Sequence, residues 1–272
     1  MKCMPSYTLL DGTTIGFVET GAGDATPIVF LHGVGSDKSV WHPQLEHFGK
    51  TRRALAFDYP GYGESDPAIR GSTREKYAGI ILAAMHALGI PRAHICGLSL
   101  GGVVAIAMHH LTPLRCASLI LADTFAVHPD GRAIYDRSLD ASADLRAMAE
   151  ARVDVLLAQP ADPAVRSEVV ETMAKIDPAA YRIGAEAVWL ADQRERTAAI
   201  RVPTLVICGT EDKVTPPSLS QELVQLIPGA SYAPIEGAGH LGNIERPEAF
   251  NALVDAFIRN VDSAAASSSP RR

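Results

Sequence analysis

The sequence of 272 residues has little basic charge in any one place and no long uncharged apolar run. Its net charge is −6, and its only basic cluster is the final Arg271-Arg272, which argues against nucleic acid or an anionic membrane as a partner. No uncharged apolar run reaches the ~18 residues of a transmembrane helix, and no apolar segment typical of a secretory signal follows Met1–Pro5. We therefore expect a cytoplasmic protein.

Cysteine is also scarce: the four cysteines are Cys3, Cys96, Cys116 and Cys208, and none has C-x-x-C spacing. This absence argues against a zinc site and against a thiol-redox motif. Three of the four fall in apolar runs, where cysteine usually acts as a small buried residue. We expect reduced thiols, no metal and no cofactor.

What the sequence does contain is a regular alternation of short apolar runs and helical segments up to Ala122. Runs such as Pro27–Leu31 are typical of strands that are buried on both faces. Alternation at this spacing predicts an α/β fold, with a parallel sheet and helices on both of its faces.

The alternation stops at Phe125 and resumes at Val202, and apolar residues in between recur every three or four positions. This pattern predicts three amphipathic helices, at 144–159, 164–175 and 179–193. The low-complexity end of the chain is predicted to be disordered. The resulting organisation is a core of residues 1–124 and 198–262, a helical insertion at 125–197 and a tail at 263–272.

Ser99 is the strongest candidate for a reactive residue. It lies in Gly97-Leu98-Ser99-Leu100-Gly101-Gly102, between the predicted strand Ala93–Cys96 and a predicted helix. In this context G-x-S-x-G indicates a nucleophile elbow, a sharp turn that exposes the serine hydroxyl. The glycines are needed because side chains at their positions would clash with the neighbouring strand and helix.

Two further residues complete a candidate triad. Asp212 follows the strand-like run Pro203–Cys208, and His240 follows a second run, in Gly237-Ala238-Gly239-His240. A serine hydroxyl needs a base, and the base needs a carboxylate that orients it. We predict Ser99 as nucleophile, His240 as base and Asp212 as acid, with Asp123 as the alternative acid.

With these motifs in the order serine, aspartate, histidine, the chain resembles the α/β-hydrolase superfamily over nearly its whole length. Phe30-Leu31-His32-Gly33-Val34-Gly35 and Asp58-Tyr59-Pro60-Gly61-Tyr62-Gly63 are similar to two loops of that family. The resemblance implies an eight-stranded, mostly parallel sheet with a helical cap inserted after strand six. It also implies an oxyanion hole formed by the backbone N–H groups of Val34 and Leu100, with His32 in a structural role.

Within the superfamily, the sequence most resembles the 3-oxoadipate enol-lactonases, through Trp41-His42-Pro43-Gln44, the elbow itself and His240-Leu241-Gly242-Asn243-Ile244-Glu245. It departs from them at His32-Gly33 and at Asp58-Tyr59-Pro60-Gly61. The resemblance implies a serine hydrolase that cleaves an ester or lactone of a small molecule through an acyl-enzyme. Alternatives are a carbon–carbon bond hydrolase of ring-cleavage products, a small-lactone receptor with slow turnover, and transfer of the acyl group to an acceptor other than water.

Two tryptophans are candidates for contacts with the substrate. Trp41 follows the oxyanion loop, and Trp189 lies near the end of the third predicted cap helix. Large aromatic side chains frequently line apolar ligand pockets, although they are equally common in protein cores. We predict Trp41 and Trp189 as substrate-binding residues and name Tyr181 as a further candidate for lining the pocket, with packing in the core as the alternative for each.

Overall fold

The computed structural model describes residues 6–9 and 12–268, and its centre is a single twisted sheet of eight strands in the order β1-β2-β4-β3-β5-β6-β7-β8. The strands are β1 (Ser6–Thr8), β2 (Thr14–Thr20), β3 (Ile28–Leu31), β4 (Ala54–Phe57), β5 (Ala93–Leu98), β6 (Cys116–Ala122), β7 (Thr204–Gly209) and β8 (Ser231–Ile235). The prediction of an eight-stranded, mostly parallel sheet is confirmed.

The strands from β3 to β8 pair in parallel, whereas β1 and β2 form an antiparallel hairpin at one edge. Strands β3, β4, β5 and β6 are buried at every position, because helices cover both faces of the sheet. The sequence predicts a hairpin here, with Tyr7–Leu10 and Thr14–Thr20 as strands around the turn Asp11-Gly12. Of these residues, Leu10 and Asp11 lie outside the described residues.

The helices alternate with the strands and cover both faces of the sheet. They are α1 (His42–Phe48), α2 (Arg74–Ala87), α3 (Leu100–Leu111), α4 (Gly131–Ala141), α5 (Leu145–Leu156), α6 (Pro163–Ala174), α7 (Pro178–Trp189), α8 (Arg194–Ala198), α9 (Pro217–Leu226), α10 (Gly242–Glu245) and α11 (Pro247–Ser268). Thr73 is the N-cap of α2, since its side-chain oxygen accepts a hydrogen bond from the Lys76 backbone N–H at 3.3 Å. In the part of the chain that the structure describes, no helix has the length and apolar character needed to cross a membrane.

Between β6 and β7 lie five helices, α4 to α8, which we call the lid. The sequence predicted only three helices here and missed α4 and α8. Helix α4 carries few apolar residues, and Ile134 and Tyr135, which pack against the core, are only partly buried, so the segment is polar on average although one side of it is apolar. Helix α8 has only five residues, which is too short to show a period.

The predicted disordered tail is wrong over most of its length, since α11 continues to Ser268. Ala264-Ala265-Ala266 extend the helix because alanine has the highest helix propensity. Residues 263–267 are exposed, and the chain after 268 lies outside the described residues. Asp262, just before this stretch, pairs with Arg52 at 2.9 Å and with His94 at 3.1 Å, and so fixes α11 to the sheet.

Candidate active site

Ser99 lies at the turn between β5 and α3 in a conformation that few residues other than glycine adopt. Its backbone angles are φ 55° and ψ −115°, and its N–H donates to the Ala122 carbonyl oxygen at 3.0 Å. Such angles are unfavourable by roughly 1–3 kcal/mol and persist only where the surrounding structure fixes them. The strained turn agrees with the predicted nucleophile elbow.

The glycines around Ser99 are required by close backbone approaches. A Cβ atom on Gly97 would overlap the carbonyl oxygen of Gly101, and a Cβ on Gly101 would overlap the carbonyl oxygen of Leu31. Neither obstacle is a flexible side chain that could move away. The elbow therefore depends on glycine at both positions for close packing of α3 against β3 and β5.

His240 and Asp212 are in direct contact at the carboxyl edge of the sheet. The distance from His240 Nδ1 to Asp212 Oδ2 is 2.9 Å, and both side chains are buried. A carboxylate can only accept, so Nδ1 carries the proton and donates it to Asp212. The other ring nitrogen, Nε2, is then unprotonated and free to act as a base.

Asp212 is held by four hydrogen bonds. Its Oδ1 accepts from the backbone N–H groups of Val214 at 2.7 Å and Thr215 at 2.9 Å, while its Oδ2 accepts from the Thr215 hydroxyl at 2.6 Å and from His240. Burial by itself raises the pKa of Asp212, but the charge of His240 and the hydrogen bonds from His240 and Thr215 outweigh it, so the pKa lies below its usual value. Asp212 is thus charged at neutral pH.

Asp123, the alternative acid, follows β6 and is fully buried with a positive φ of 46°. Its Oδ1 accepts from the Gly209 N–H at 2.8 Å, and it makes no hydrogen bond to His240. Burial, and then the neighbouring charge of Asp212, raise the pKa of Asp123 well above its usual value. Of the two candidate acids, it is Asp212 that contacts the histidine.

Ser99 and His240 both line a small cavity, of about 60 Å³, that lies between the sheet and the lid. Val34 and Gly33 form one side of it, and Leu100 is the first residue of α3. Among the described residues, the N–H groups of Val34 and Leu100 have no hydrogen-bond acceptor. Both are therefore available to a bound oxyanion, and the helix dipole of α3 favours negative charge at its N-terminus.

The lid contributes much of the cavity wall, a contribution that the sequence predicted only for Trp189 and Tyr181. The lid residues are Arg152, Leu156, Glu168, Val169, Thr172, Met173, Tyr181 and Trp189. They come from α5, α6 and α7 and are spread over 37 positions of the chain, from Arg152 to Trp189. No local pattern distinguishes them from other lid residues, which is why the sequence did not reveal them.

Trp189 lies in the cavity wall as predicted, but the prediction for Trp41 is wrong. The Trp189 ring stacks on Phe125 with a centroid distance of 5.8 Å and borders the cavity. Trp41 is fully buried, with its ring 4.9 Å from Phe30 and 5.9 Å from Phe250, and it does not line the cavity. Phe30 and Phe250 pack against its ring within the hydrophobic core.

His32 is structural, as predicted. Its Nε2 accepts from the Tyr59 N–H at 3.4 Å, so Nδ1 carries the proton and donates to the Gly33 carbonyl oxygen at 2.8 Å. Burial lowers the pKa of His32, which keeps the ring neutral. A residue that the sequence did not identify, Tyr62, donates from its hydroxyl to the Val34 carbonyl at 3.3 Å. These contacts hold the oxyanion loop in place.

The loop of His240 is attached to the lid by backbone hydrogen bonds. The His240 N–H donates to the Leu156 carbonyl at 2.8 Å, and the Ala158 N–H donates to Glu245 Oε2 at 2.7 Å. The other oxygen of Glu245 accepts from the Gly239 N–H at 3.0 Å. The C-terminal end of α5 and the histidine loop thus form one connected unit.

Ligating atoms of Asp123, Cys208 and Asp212 lie within 4.8 Å of one another, which makes them the one group among the described residues that could hold a metal ion. The donor set fits a metal poorly, because both Asp212 oxygens already accept hydrogen bonds and a metal ion would compete with His240. Within the cluster the two carboxyl groups instead affect each other, because the charge of Asp212 contributes to raising the pKa of Asp123.

Comparison with known proteins supports the same assignment of fold. The family model for the alpha/beta hydrolase fold matches residues 26–247. The sequence is 29% identical over 254 residues to 3-oxoadipate enol-lactonase 1 of Acinetobacter baylyi, an alignment covering 92% of this chain and 95% of the relative. It is also 29% identical to 2-hydroxy-6-oxononadienedioate/2-hydroxy-6-oxononatrienedioate hydrolase of Cupriavidus pinatubonensis, over 93% of this chain and 94% of that protein. The crystal structure of the enol-lactonase from Burkholderia xenovorans LB400 superposes with a TM-score of 0.87 and 32% identity, over 94% of this chain and all of the other.

Proposed function

Because the chain belongs to the alpha/beta hydrolase fold family, we propose that it is a serine hydrolase that cleaves an ester or lactone of a small molecule. The observation that carries this proposal is the contact of His240 with Asp212 at 2.9 Å, in the cavity that Ser99 also lines. The strained backbone of Ser99 adds to it, because strain of this kind is maintained at functional sites. The enol-lactonases that the chain is similar to support the choice of ester and lactone bonds.

The reaction begins with attack of the Ser99 hydroxyl on the carbonyl carbon. His240 Nε2 takes the serine proton as the new bond forms, and Asp212 stabilises the resulting imidazolium. The oxyanion is bound by the N–H groups of Val34 and Leu100, each of which contributes roughly 2.7–4 kcal/mol to lowering the barrier. His240 then gives its proton to the leaving alcohol, and the acyl-enzyme remains.

Water completes the cycle. His240 takes a proton from the incoming water, the second tetrahedral intermediate uses the same oxyanion donors, and Ser99 leaves with the proton returned by His240. In a lactone the leaving alcohol belongs to the acyl chain itself, so the product is a single ring-opened acid. A buried, largely apolar cavity slows the entry of competing nucleophiles.

We further propose that the substrate carries a negative charge. Arg152 is half-buried in the cavity wall and, within the described residues, has no acidic side chain in ion-pair range; its only side-chain partner is the Tyr181 hydroxyl, at 3.4 Å. A cation in this position suits a carboxylate on the acyl chain or on the leaving group. An enol-lactone that also carries a carboxylate group has both the lactone bond that Ser99 would attack and the negative charge that Arg152 would bind.

The test compares p-nitrophenyl esters, simple lactones and a dienol ring-fission product, each in a neutral and an acidic version of equal length. We expect turnover of esters and lactones by the wild type, and a loss of several orders of magnitude in kcat for Ser99→Ala with the fold retained by circular dichroism. Activity of Ser99→Ala within about tenfold of wild type contradicts the serine mechanism. Arg152→Gln is expected to lower kcat/KM for the acidic substrates by about 10–100-fold and to leave the neutral ones within threefold.

The second candidate is a carbon–carbon bond hydrolase. The similarity to the Cupriavidus hydrolase, whose name specifies ring-cleavage dienedioates, favours it, and so does an unpaired arginine in the cavity. Rapid turnover of the dienol substrate with slow turnover of all esters and lactones decides for this alternative. Single turnover on every substrate instead indicates a lactone receptor.

A further inference from the structure

The end of β6 binds the backbone of Ser99 on both sides. The Ser99 N–H donates to the Ala122 carbonyl oxygen at 3.0 Å, and the Thr124 hydroxyl donates to the Ser99 carbonyl oxygen at 2.8 Å. Thr124 is fully buried and does not line the cavity. Its hydroxyl nevertheless reaches the backbone of the nucleophile itself, and none of the steps of the proposed reaction uses it.

Close packing and the backbone together fix the position of the Thr124 hydroxyl. A Cβ atom on Gly102 would overlap the Cβ and Cγ2 atoms of Thr124, so glycine leaves room for the threonine against the first turn of α3. The preceding residue, Asp123, has a positive φ of 46°, and its N–H donates to the Ile207 carbonyl oxygen at 2.9 Å. The backbone is therefore strained and fixed immediately before Thr124. The side chain has little freedom to turn away from Ser99.

The group that Thr124 holds is the peptide unit that also carries an oxyanion donor. The Ser99 carbonyl and the Leu100 N–H belong to one planar peptide unit and point in opposite directions. A hydrogen bond that fixes the direction of the carbonyl thus fixes the direction of the N–H as well. It also strengthens the N–H as a donor, because hydrogen bonds in a chain polarise one another in a low-dielectric interior.

We propose that Thr124 is a positioning residue for the oxyanion hole, whose hydroxyl orients and polarises the Ser99–Leu100 peptide and so directs the Leu100 N–H at the oxyanion. Negative charge on the substrate oxygen develops only in the transition state, so the contribution of Thr124 is made there. Binding of the substrate in its ground state does not depend on Thr124, which lies outside the cavity wall. This inference rests on the proposed function, since it requires an oxyanion at Leu100.

Two substitutions at Thr124 separate its hydroxyl from its shape. Valine has the shape of threonine without the hydroxyl, whereas serine keeps the hydroxyl and loses the methyl group. In Thr124→Val the Ser99 carbonyl still accepts from the N–H groups of Gly102 at 2.9 Å and Val103 at 3.2 Å. No buried acceptor is left without a donor, so we expect the fold to be retained.

The expected loss is smaller than that of a complete oxyanion donor, which lowers kcat by roughly 10²–10³-fold. We expect Thr124→Val to lower kcat by about 3–30-fold with KM within twofold, because the Leu100 N–H is weakened but still present. Thr124→Ser should stay within twofold of the wild type. A kcat of Thr124→Val within threefold of the wild type, or an equal loss in Thr124→Ser, contradicts the proposal.

Thr197 on α8 provides a matched control. It is fully buried, does not line the cavity, and its hydroxyl has no hydrogen-bond partner among the described residues. Thr197→Val therefore makes the same chemical change without removing a hydrogen bond, and kcat and KM are expected to stay within twofold of the wild type. A loss of kcat equal to that of Thr124→Val shows that the bond to Ser99 is not the cause.

Two further measurements report the oxyanion hole and would not respond to a purely structural role. A trifluoromethyl ketone forms a tetrahedral oxyanion adduct with the serine, and its inhibition constant should rise in Thr124→Val by the factor by which kcat/KM falls. The infrared carbonyl stretch of the acyl-enzyme, trapped at low pH, should move to higher wavenumber, since a weaker donor polarises the carbonyl less. An inhibition constant or a stretch equal to that of the wild type contradicts the role of Thr124.

The outcomes also distinguish this inference from the proposed function. Activity of Ser99→Ala within about tenfold of the wild type contradicts the serine mechanism, and the inference about Thr124 is then wrong with it. A requirement for Ser99 together with wild-type kcat in Thr124→Val contradicts only the inference. A loss of kcat in Thr124→Val that is accompanied by a lower melting temperature and an unchanged inhibition constant assigns Thr124 to the stability of the fold, and the inference is wrong.

Discussion

Replacement of each tryptophan by phenylalanine separates a residue of the core from a residue of the cavity wall. Trp41 lies between Phe30 and Phe250 and is fully buried, whereas Trp189 borders the cavity and stacks on Phe125. Phenylalanine keeps an aromatic ring at each position but leaves the space of the indole's second ring. At Trp41 that space opens within the core, and at Trp189 it adds to the substrate cavity.

The expected magnitudes follow from these positions. Either substitution reduces the free energy of unfolding by about 1–2 kcal/mol, since part of a buried side chain is lost. The melting temperature then falls by about 2–8 °C for a chain of this size. Trp189→Phe has a second effect: each methylene of substrate that fits the new space gains about 0.8 kcal/mol, or roughly fourfold in kcat/KM.

The assay measures kcat/KM for p-nitrophenyl acetate, butyrate and hexanoate, and the result is expressed as ratios between the esters. We expect Trp189→Phe to raise the ratio of hexanoate to acetate at least fourfold and Trp41→Phe to leave all ratios within twofold. The pH dependence of kcat/KM in both variants should match that of the wild type, because neither substitution changes an ionisable group. Constant ratios for Trp189→Phe, or altered ratios for Trp41→Phe, refute the assignment of the two rings.

Two further predictions concern stability. Burial lowers the pKa of His94 from 6.5 to about 4, so its contribution of roughly 3 kcal/mol is complete above pH 6.5 and is lost as the pH falls toward 4. The stability difference between wild type and His94→Gln should therefore shrink over that range in urea titrations. Deletion of 263–272 should leave the melting temperature within 1 °C, since residues 263–267 are exposed, whereas deletion of 262–272 also removes the partner of Arg52 and should lower it by about 2–4 °C. Equal melting temperatures for the two truncations contradict the role assigned to Asp262.

The central part of the site could be predicted because its signals are local and the sheet brings them together. Ser99, Asp212 and His240 lie in the turns and loops that follow β5, β7 and β8, and parallel strands end at the same edge. The glycines of the elbow reflect backbone approaches that only glycine permits. The contact between His240 and Asp212 therefore follows from strand order and motif alone.

The rest depends on packing between segments that are distant in sequence. The sequence alone does not separate Trp41 from Trp189 as a core residue. Only the fold shows that Phe250, which is 209 positions from Trp41 in the chain, packs against the Trp41 ring. Asp123 and Asp212 both follow strands of the sheet, and only the fold shows that Asp212 contacts His240 and accepts four hydrogen bonds whereas Asp123 accepts one. Helix α4 was missed because its apolar side consists of few residues, among them Ile134 and Tyr135, in a segment that is polar on average.

The connection between α5 and the histidine loop has a consequence for how specificity can be changed in this fold. Leu156 and Ala158 hold the backbone around His240 through its own N–H and through Glu245. A lid transplanted from a relative with its junction inside 156–158 would exchange specificity and disturb the base in the same step. Grafts that keep residues 156–158 together with 239–245, and replace α6 and α7 alone, leave the chemistry in place while the walls change. Residues of α6 and α7 can thus change the pocket without affecting the position of His240, whereas changes at the C-terminal end of α5 affect both.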